Sequence, residues 1–171
     1  MLVGQLLDLA RTENVTPQME HIDFSRLVAG ETLPFESVAF EKELALNTAI
    51  TSGIAVEGNG AQLKQLTSIL LDNAIRHSKP AGEVRLTLTG DHGIAELSVI
   101  NTGDEIPTEH RDKIFERFYR MDPARSGEDK HYGLGLAIAK AIVAAHHGHI
   151  EVLCYNELVE FRVNLPISRE K

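Results

Sequence analysis

Residues 84–101, VRLTLTGDHGIAELSVIN, carry the plainest fold signal in the chain. Two runs alternate apolar and polar positions, and Asp91-His92-Gly93 joins them. Alternation with a period of two around such a turn reads as an antiparallel hairpin with one buried face. Just upstream, residues 60–78, GAQLKQLTSILLDNAIRHS, switch to a helical period, with Leu63, Leu66, Leu70 and Ala74 on one stripe. Downstream, residues 149–167, HIEVLCYNELVEFRVNLPI, return to alternation as two strands around a turn at Tyr155-Asn156. Strands grouped in hairpins, with helices kept apart from them, imply an α+β fold. The expected form is a two-layer α/β sandwich: a mixed, mostly antiparallel sheet covered on one face by helices.

The remaining segments fit around that frame. Residues 19–25, MEHIDFS, alternate like a strand, and 44–50, LALNTAI, and 53–58, GIAVEG, are short strand candidates. Residues 24–43, FSRLVAGETLPFESVAFEKE, read as a helix capped by Ser25, although Gly30 and Pro34 interrupt the pattern. Residues 1–13, MLVGQLLDLARTE, place Leu2, Leu6 and Leu9 on one narrow stripe, as a helix does when it packs against a partner or the end of a domain. Residues 101–132 are charged and poorly periodic, with a short helical piece around EHRDKIFERFYR, residues 109–120.

Composition narrows the function. The 171 residues suit one globular domain, and 43% hydrophobic content supports a core. Seventeen basic against 25 acidic residues give a formal charge of −8. That balance argues against nucleic-acid binding, which needs a basic footprint. An anionic ligand must therefore be held locally, by a few side chains and backbone amides. The single cysteine, Cys154, excludes an internal disulfide framework and fits a reducing compartment. No apolar run approaches the ~20 residues of a membrane span, and no signal peptide is visible. A cytoplasmic domain without membrane contact is the expectation, even if its parent is membrane-anchored.

Three places carry candidate chemistry. Asn73 follows Leu70 by three residues and Leu66 by seven, so it faces inward with them, and Arg76 and His77 stack above it. A buried amide needs partners; a neighbouring backbone group would serve, as would a hard cation for which Asn73 is an oxygen ligand. In SVINTGDEIP, residues 98–107, a strand ends in a polar turn: Asn101 sits at the strand end, Gly103 in the turn, and Ile106-Pro107 could form an apolar wall. The third place runs from Arg111 to Lys130, with six Lys/Arg against five Asp/Glu. Phe115 and Phe118 look like an anchor for a mobile, charged lid in which Arg120 and Arg125 could meet phosphate. The lid leads into Gly133-Leu134-Gly135-Leu136. Those glycines either permit a tight turn and close packing, or clear a helix N-terminus so that its N–H groups face an anion.

The order of these features resembles the ATP-binding catalytic domain of sensor histidine kinases, in the superfamily shared with DNA gyrase B, heat-shock protein 90 and mismatch-repair MutL. The likeness covers roughly residues 20–167 and matches that family's N, G1, F and G2 boxes. It implies ATP and Mg²⁺ as ligands, with Asn73 on the metal and Arg76 and His77 near the ribose and phosphates. Asn101 would read adenine, with Gly103 and Ile106 beside it. Phe115 and Phe118 would seat the lid, and Gly133, Leu134, Gly135 and Leu136 would line the phosphates.

Four positions depart from the family pattern. Asn101 replaces an aspartate, Glu105 a common glycine, and His131 the first glycine of the G2 box. Ile69 replaces a frequent asparagine. It also stands where hydrolytic members carry a glutamate base, so transfer to an external acceptor is expected rather than hydrolysis. None of the eight histidines has the context of a phosphoacceptor. The resemblance therefore makes residues 1–14 the end of the second helix of an upstream dimerisation and histidine-phosphotransfer hairpin, and residues 15–171 the catalytic domain. The implied partners are that hairpin, which carries the acceptor histidine, and a response regulator; the fragment alone should be a monomer. The alternative is an inactive nucleotide-sensing or protein-interaction module of the same fold. His146, His147 and His149 read as a solvated helix end rather than a metal site.

Overall fold

A computed structural model describes residues 2–14, 17–119 and 133–169. The chain runs α1 (Leu2–Asn14), β1 (Glu20–Asp23), α2 (Phe24–Glu41), β2 (Ala45–Ile50), β3 (Ala55–Gly58), α3 (Gly60–His77), β4 (Glu83–Asp91) and β5 (Ile94–Thr102). Two short 3₁₀ turns, Thr108–His110 and Lys113–Phe115, follow, then α4 (Gly135–Ala145), β6 (His149–Tyr155) and β7 (Leu158–Pro166).

The main sheet has the order β2-β4-β5-β7-β6, parallel only between β2 and β4. The expected hairpins are present. His92 and Gly93 link β4 to β5, and Asn156 and Glu157 link β6 to β7, all four with positive φ. That is the geometry a two-residue hairpin needs to match strand twist. β1 and β3 form a separate antiparallel pair.

Alternation buries one sheet face: Val84, Leu86 and Leu88 of β4, Leu97 and Val99 of β5, and Phe161 and Val163 of β7. Against it lie α2, α3 and α4. The α3 stripe of Leu63, Leu66, Leu70 and Ala74 is wholly buried. Each such leucine stabilises the fold by about 1.5–3 kcal/mol of transfer free energy. The architecture is the two-layer α/β sandwich that the hairpins imply.

One local expectation needs correction. The α2 cap is Asp23, whose carboxylate accepts from the Arg26 N–H. Ser25 lies one residue inside the helix, where its hydroxyl donates to the Thr51 carbonyl at 2.6 Å and accepts from the Ile54 N–H at 3.0 Å. Pro34 does not end the helix, which continues to Glu41. Pro34 and Gly30 are both exposed, so the carbonyl that loses its donor faces solvent.

Candidate functional site

α3 brings the first group into place. Asn59 caps it, accepting from the Gln62 N–H at 3.0 Å. Its buried stripe carries Asn73 inward, to 8% exposure. Among the described residues, the Asn73 amide has no hydrogen-bond partner. Arg76 Nε donates to Asp72 Oδ2 at 3.1 Å, one turn back on the same helix, and the His77 side chain is exposed.

The end of β5 meets the end of that helix. Asn101 is 1% exposed, and its Nδ2 donates to the Thr102 carbonyl at 3.3 Å. The Lys79 N–H donates to Thr102 O and the Gly103 N–H to Glu157 O, both at 2.9 Å, stitching the helix exit and the β6–β7 turn to the strand end. A side chain at Gly103 would put its Cβ 2.9 Å from Asn101 Nδ2 and 3.2 Å from the His77 carbonyl. Glycine here lets strand and helix close on the asparagine. Ile106 is buried, and its N–H points at Cys154 Sγ, 3.4 Å away. Glu105, the departure from glycine, is held by Arg111 Nη2 at 2.7 Å, while Arg111 Nε donates to Ile106 O.

The two described ends of the segment expected to form the lid are tied by backbone. The Phe118 N–H donates to Gly133 O at 3.0 Å, tying together the two ends of the segment 119–132. Gly133 has φ +73°, and a Cβ there would lie 3.0 Å from the Phe118 backbone. The two aromatics divide the anchoring unequally. Phe115 is buried edge-on against Phe161, with ring centroids 6.0 Å apart, whereas the Phe118 ring is 53% exposed. The anchor is thus Phe115, and Phe118 contributes its N–H rather than its ring. Tyr119 ties the same stem to the first 3₁₀ turn through His110.

Leu134 is fully buried and precedes α4 without a side-chain cap, and the first turn holds no acidic residue. The opening N–H groups thus keep the partial positive charge of a helix start. Gly135 faces Ile69 of α3, with 3.6 Å between an added Cβ and Ile69 Cγ2. The close-packing role has a physical basis at Gly133, which allows close backbone approach, whereas a Cβ at Gly135 would make only an ordinary contact with Ile69. α3 is therefore the hub, touching the β5 end through His77 and the α4 start through Ile69. Leu136 packs against the core beside them. Arg120, Arg125 and His131 lie outside the described residues.

A cavity of about 880 Å³ opens elsewhere, between α1, the second 3₁₀ turn and α4, over Ala137, Ala141 and Ala144. Of the residues just described only Phe115 lines it, and Asn73, Asn101, Gly103 and Gly133 do not. The Glu13–Arg117 ion pair spans it and joins α1 to the lid stem.

A family profile, "Histidine kinase-, DNA gyrase B-, and HSP90-like ATPase", matches residues 58–169. The chain belongs to that ATPase family. Sensor protein DltS of Streptococcus agalactiae is 35% identical over 169 residues, covering 98% of this chain and 42% of that protein. The chain thus spans about two fifths of the length of the curated relatives it matches first. Among solved structures, the mycobacterial sensor histidine kinase MprB is 28% identical with a TM-score of 0.75, covering 90% of this chain and all of that one. Full-length ShkA in complex with AMPPNP is 26% identical with a TM-score of 0.85, covering 99% of this chain and 36% of that one. No helix among the described residues is long and apolar enough to cross a membrane.

Within this ATPase fold, one histidine does something its sequence context hides. The expected solvated histidine cluster is corrected at His146, which is 3% exposed. The ring accepts from the Asn59 N–H at Nε2, 3.0 Å away, and Nδ1–H donates to the Ile142 carbonyl at 2.7 Å. It staples the C-terminus of α4 to the N-terminus of α3. Burial holds its pKa below the ordinary histidine value, outweighing the opposing bond to Ile142. No sequence period marks this role, because the two partners lie 87 residues apart.

Proposed function

We propose that this domain binds Mg·ATP between α3, the β5 end and the α4 start, and presents the γ-phosphate to a histidine on an upstream dimerisation hairpin. The observation that carries the reading is the inward Asn73 amide, mostly buried and unpartnered among the described residues, on the one helix that touches both other parts of the site. Its oxygen suits a hard cation, so Asn73 is the protein ligand that would hold Mg²⁺. Bound there, the ion would neutralise phosphate charge.

The remaining roles follow from chemistry. The Asn101 oxygen accepts from the adenine amino group while its Nδ2 keeps the bond to Thr102. The N–H groups opening α4 at Gly135 and Leu136 hold phosphate oxygens, and Gly133 and the Phe118 N–H position the lid. Arg76 and His77 stand at the ribose and phosphate side, with Arg120 and Arg125 on the lid. In the reaction a ring nitrogen of the acceptor histidine forms a bond to the γ-phosphorus, the bond to the β,γ-bridging oxygen breaks, and ADP leaves. Ile69 supplies no base for water, which favours this transfer over hydrolysis. The phosphoryl group then passes to an aspartate of a response regulator in the cytoplasm. Residues 1–14 are the end of the hairpin's second helix, and the isolated domain is a monomer.

Calorimetry with a non-hydrolysable ATP analogue tests the site. Affinity should rise when Mg²⁺ is added, and Asn73→Ala should abolish that rise while leaving the thermal melt in place. Label transfer from ATP to an added dimerisation hairpin tests the chemistry. Binding without transfer would leave a nucleotide-sensing module.

A further inference from the structure

We infer that the free edge of β2, together with the outer flank of α2, is a docking ledge for an extended, basic segment of another protein, which adds to the sheet as a sixth strand. Among the described residues, β2 pairs only with β4. The Ala45 and Thr51 N–H groups turn inward, to Gly82 O and Leu88 O. By strand alternation, the Leu46, Thr48 and Ile50 N–H groups point off the edge.

Exposed edges are usually blunted by charge, proline or a bulge. β2, ALNTAI, has no charged residue and no proline, and four of its six residues are exposed. The opposite edge, β6, carries His149 and Glu151. The two edges are therefore managed differently, and β2 is the one left able to pair.

The helix above supplies the second half of the ledge. α2 packs on α3 along one side, where Glu31 accepts from Ser68 Oγ at 3.0 Å. Leu33 and Phe40 lie one heptad apart and about half a turn round the helix from Glu31, so they face away from α3, on the helix that packs against β2. They are 62% and 82% exposed. Two large apolar side chains beside an unblunted edge match the two needs of strand addition, backbone pairing and pockets for alternate side chains.

Charge selects the occupant. From Leu33 to Glu43 the chain carries Glu36, Glu41 and Glu43 against Lys42. A second copy would bring the same acids face to face, on a chain already at −8. The complementary partner is a segment alternating apolar residues with lysine or arginine.

The probe is a capped peptide alternating valine and lysine, titrated into the isotope-labelled chain. Amide shifts should centre on Leu46, Thr48 and Ile50, and a valine–glutamate peptide should bind about tenfold more weakly or worse. Phe40→Ser, at an exposed position, should cost about tenfold in affinity without moving nucleotide binding or the thermal melt. Thr48→Pro, which removes an outward N–H, should do the same. Failure of the lysine peptide to bind, equal binding of the two peptides, or shifts away from β2 would overturn the inference. Concentration-dependent dimerisation blocked by Thr48→Pro would also overturn it, by giving the edge to a second copy. Peptide binding is read without ATP, so the inference and the nucleotide site can fail separately.

Discussion

The His146 staple makes a prediction that stability measurements can decide. A methyl group at Gly58 would meet Leu63 Cδ1 at 2.8 Å and the His146 ring at 2.9 Å (Cδ2) and 3.0 Å (Nε2). The ring cannot retreat, because both of its nitrogens are engaged. Gly58→Ala should therefore cost about 1–3 kcal/mol as an overpacked core site. His146→Ala removes a buried ring and strands the Asn59 N–H, for about 2–4 kcal/mol. In the double variant the new methyl occupies space that the ring has left. The costs should then fall short of additivity by about 1–2 kcal/mol, a coupling typical of residues in contact.

Acid adds a second, independent signature of the staple. The folded state holds His146 neutral, with its pKa depressed by burial, so the unfolded chain binds more protons below about pH 6.5. This stability is fully present above the unfolded value and is lost as pH falls below it, by at most about 1.4 kcal/mol per pH unit. Urea denaturation from about pH 8 down to about pH 5 should show a steeper loss in the wild-type chain than in His146→Ala. Strict additivity in the cycle together with parallel pH profiles would refute the staple.

Other outcomes follow from the same geometry. Gly133→Ala forces a side chain into positive φ against the Phe118 backbone; it should cost about 1–3 kcal/mol at the lid base and weaken nucleotide binding about tenfold by calorimetry. Phe115→Ala should cost about 3–5 kcal/mol in urea denaturation, whereas Phe118→Ala should stay within about 0.5 kcal/mol, since only the first ring is packed. Asn101→Asp should lower the melting temperature of the free domain, because a carboxylate cannot donate to Thr102 O, yet it should gain a larger thermal shift on adding ATP analogue.

What the sequence disclosed was what depends on neighbours close in the chain. The hairpin at His92-Gly93, the α3 stripe and the inward Asn73 all follow from local period and turn chemistry. The misreadings came where a distant partner decided. Ser25 looked like a cap, but Thr51 and Ile54 claim its hydroxyl from across the fold. Phe115 and Phe118 looked equivalent at a helical spacing, yet the segment is a 3₁₀ turn ending at Phe115, and Phe118 lies beyond it at φ +62°. His146 sat in a polar trio at a helix end, with nothing nearby to show that the α3 cap residue would reach its ring.

The charge problem posed by composition has a local solution. A chain at −8 should repel a nucleotide, yet the acids around the candidate site are matched by cations. Asp72 is paired with Arg76, Glu105 with Arg111 and Asp104 with Lys79. The last pair is exposed and worth little in energy. Even so, among the described residues, three paired acids and an acid-free first turn of α4 leave the helix N–H groups as a positive feature of that surface. Screening supports the same conclusion, because acids more than about 10 Å away act only weakly at ordinary salt. Binding of an anion here therefore depends on which charges lie within one helical turn, and the overall sign of the chain says little about it.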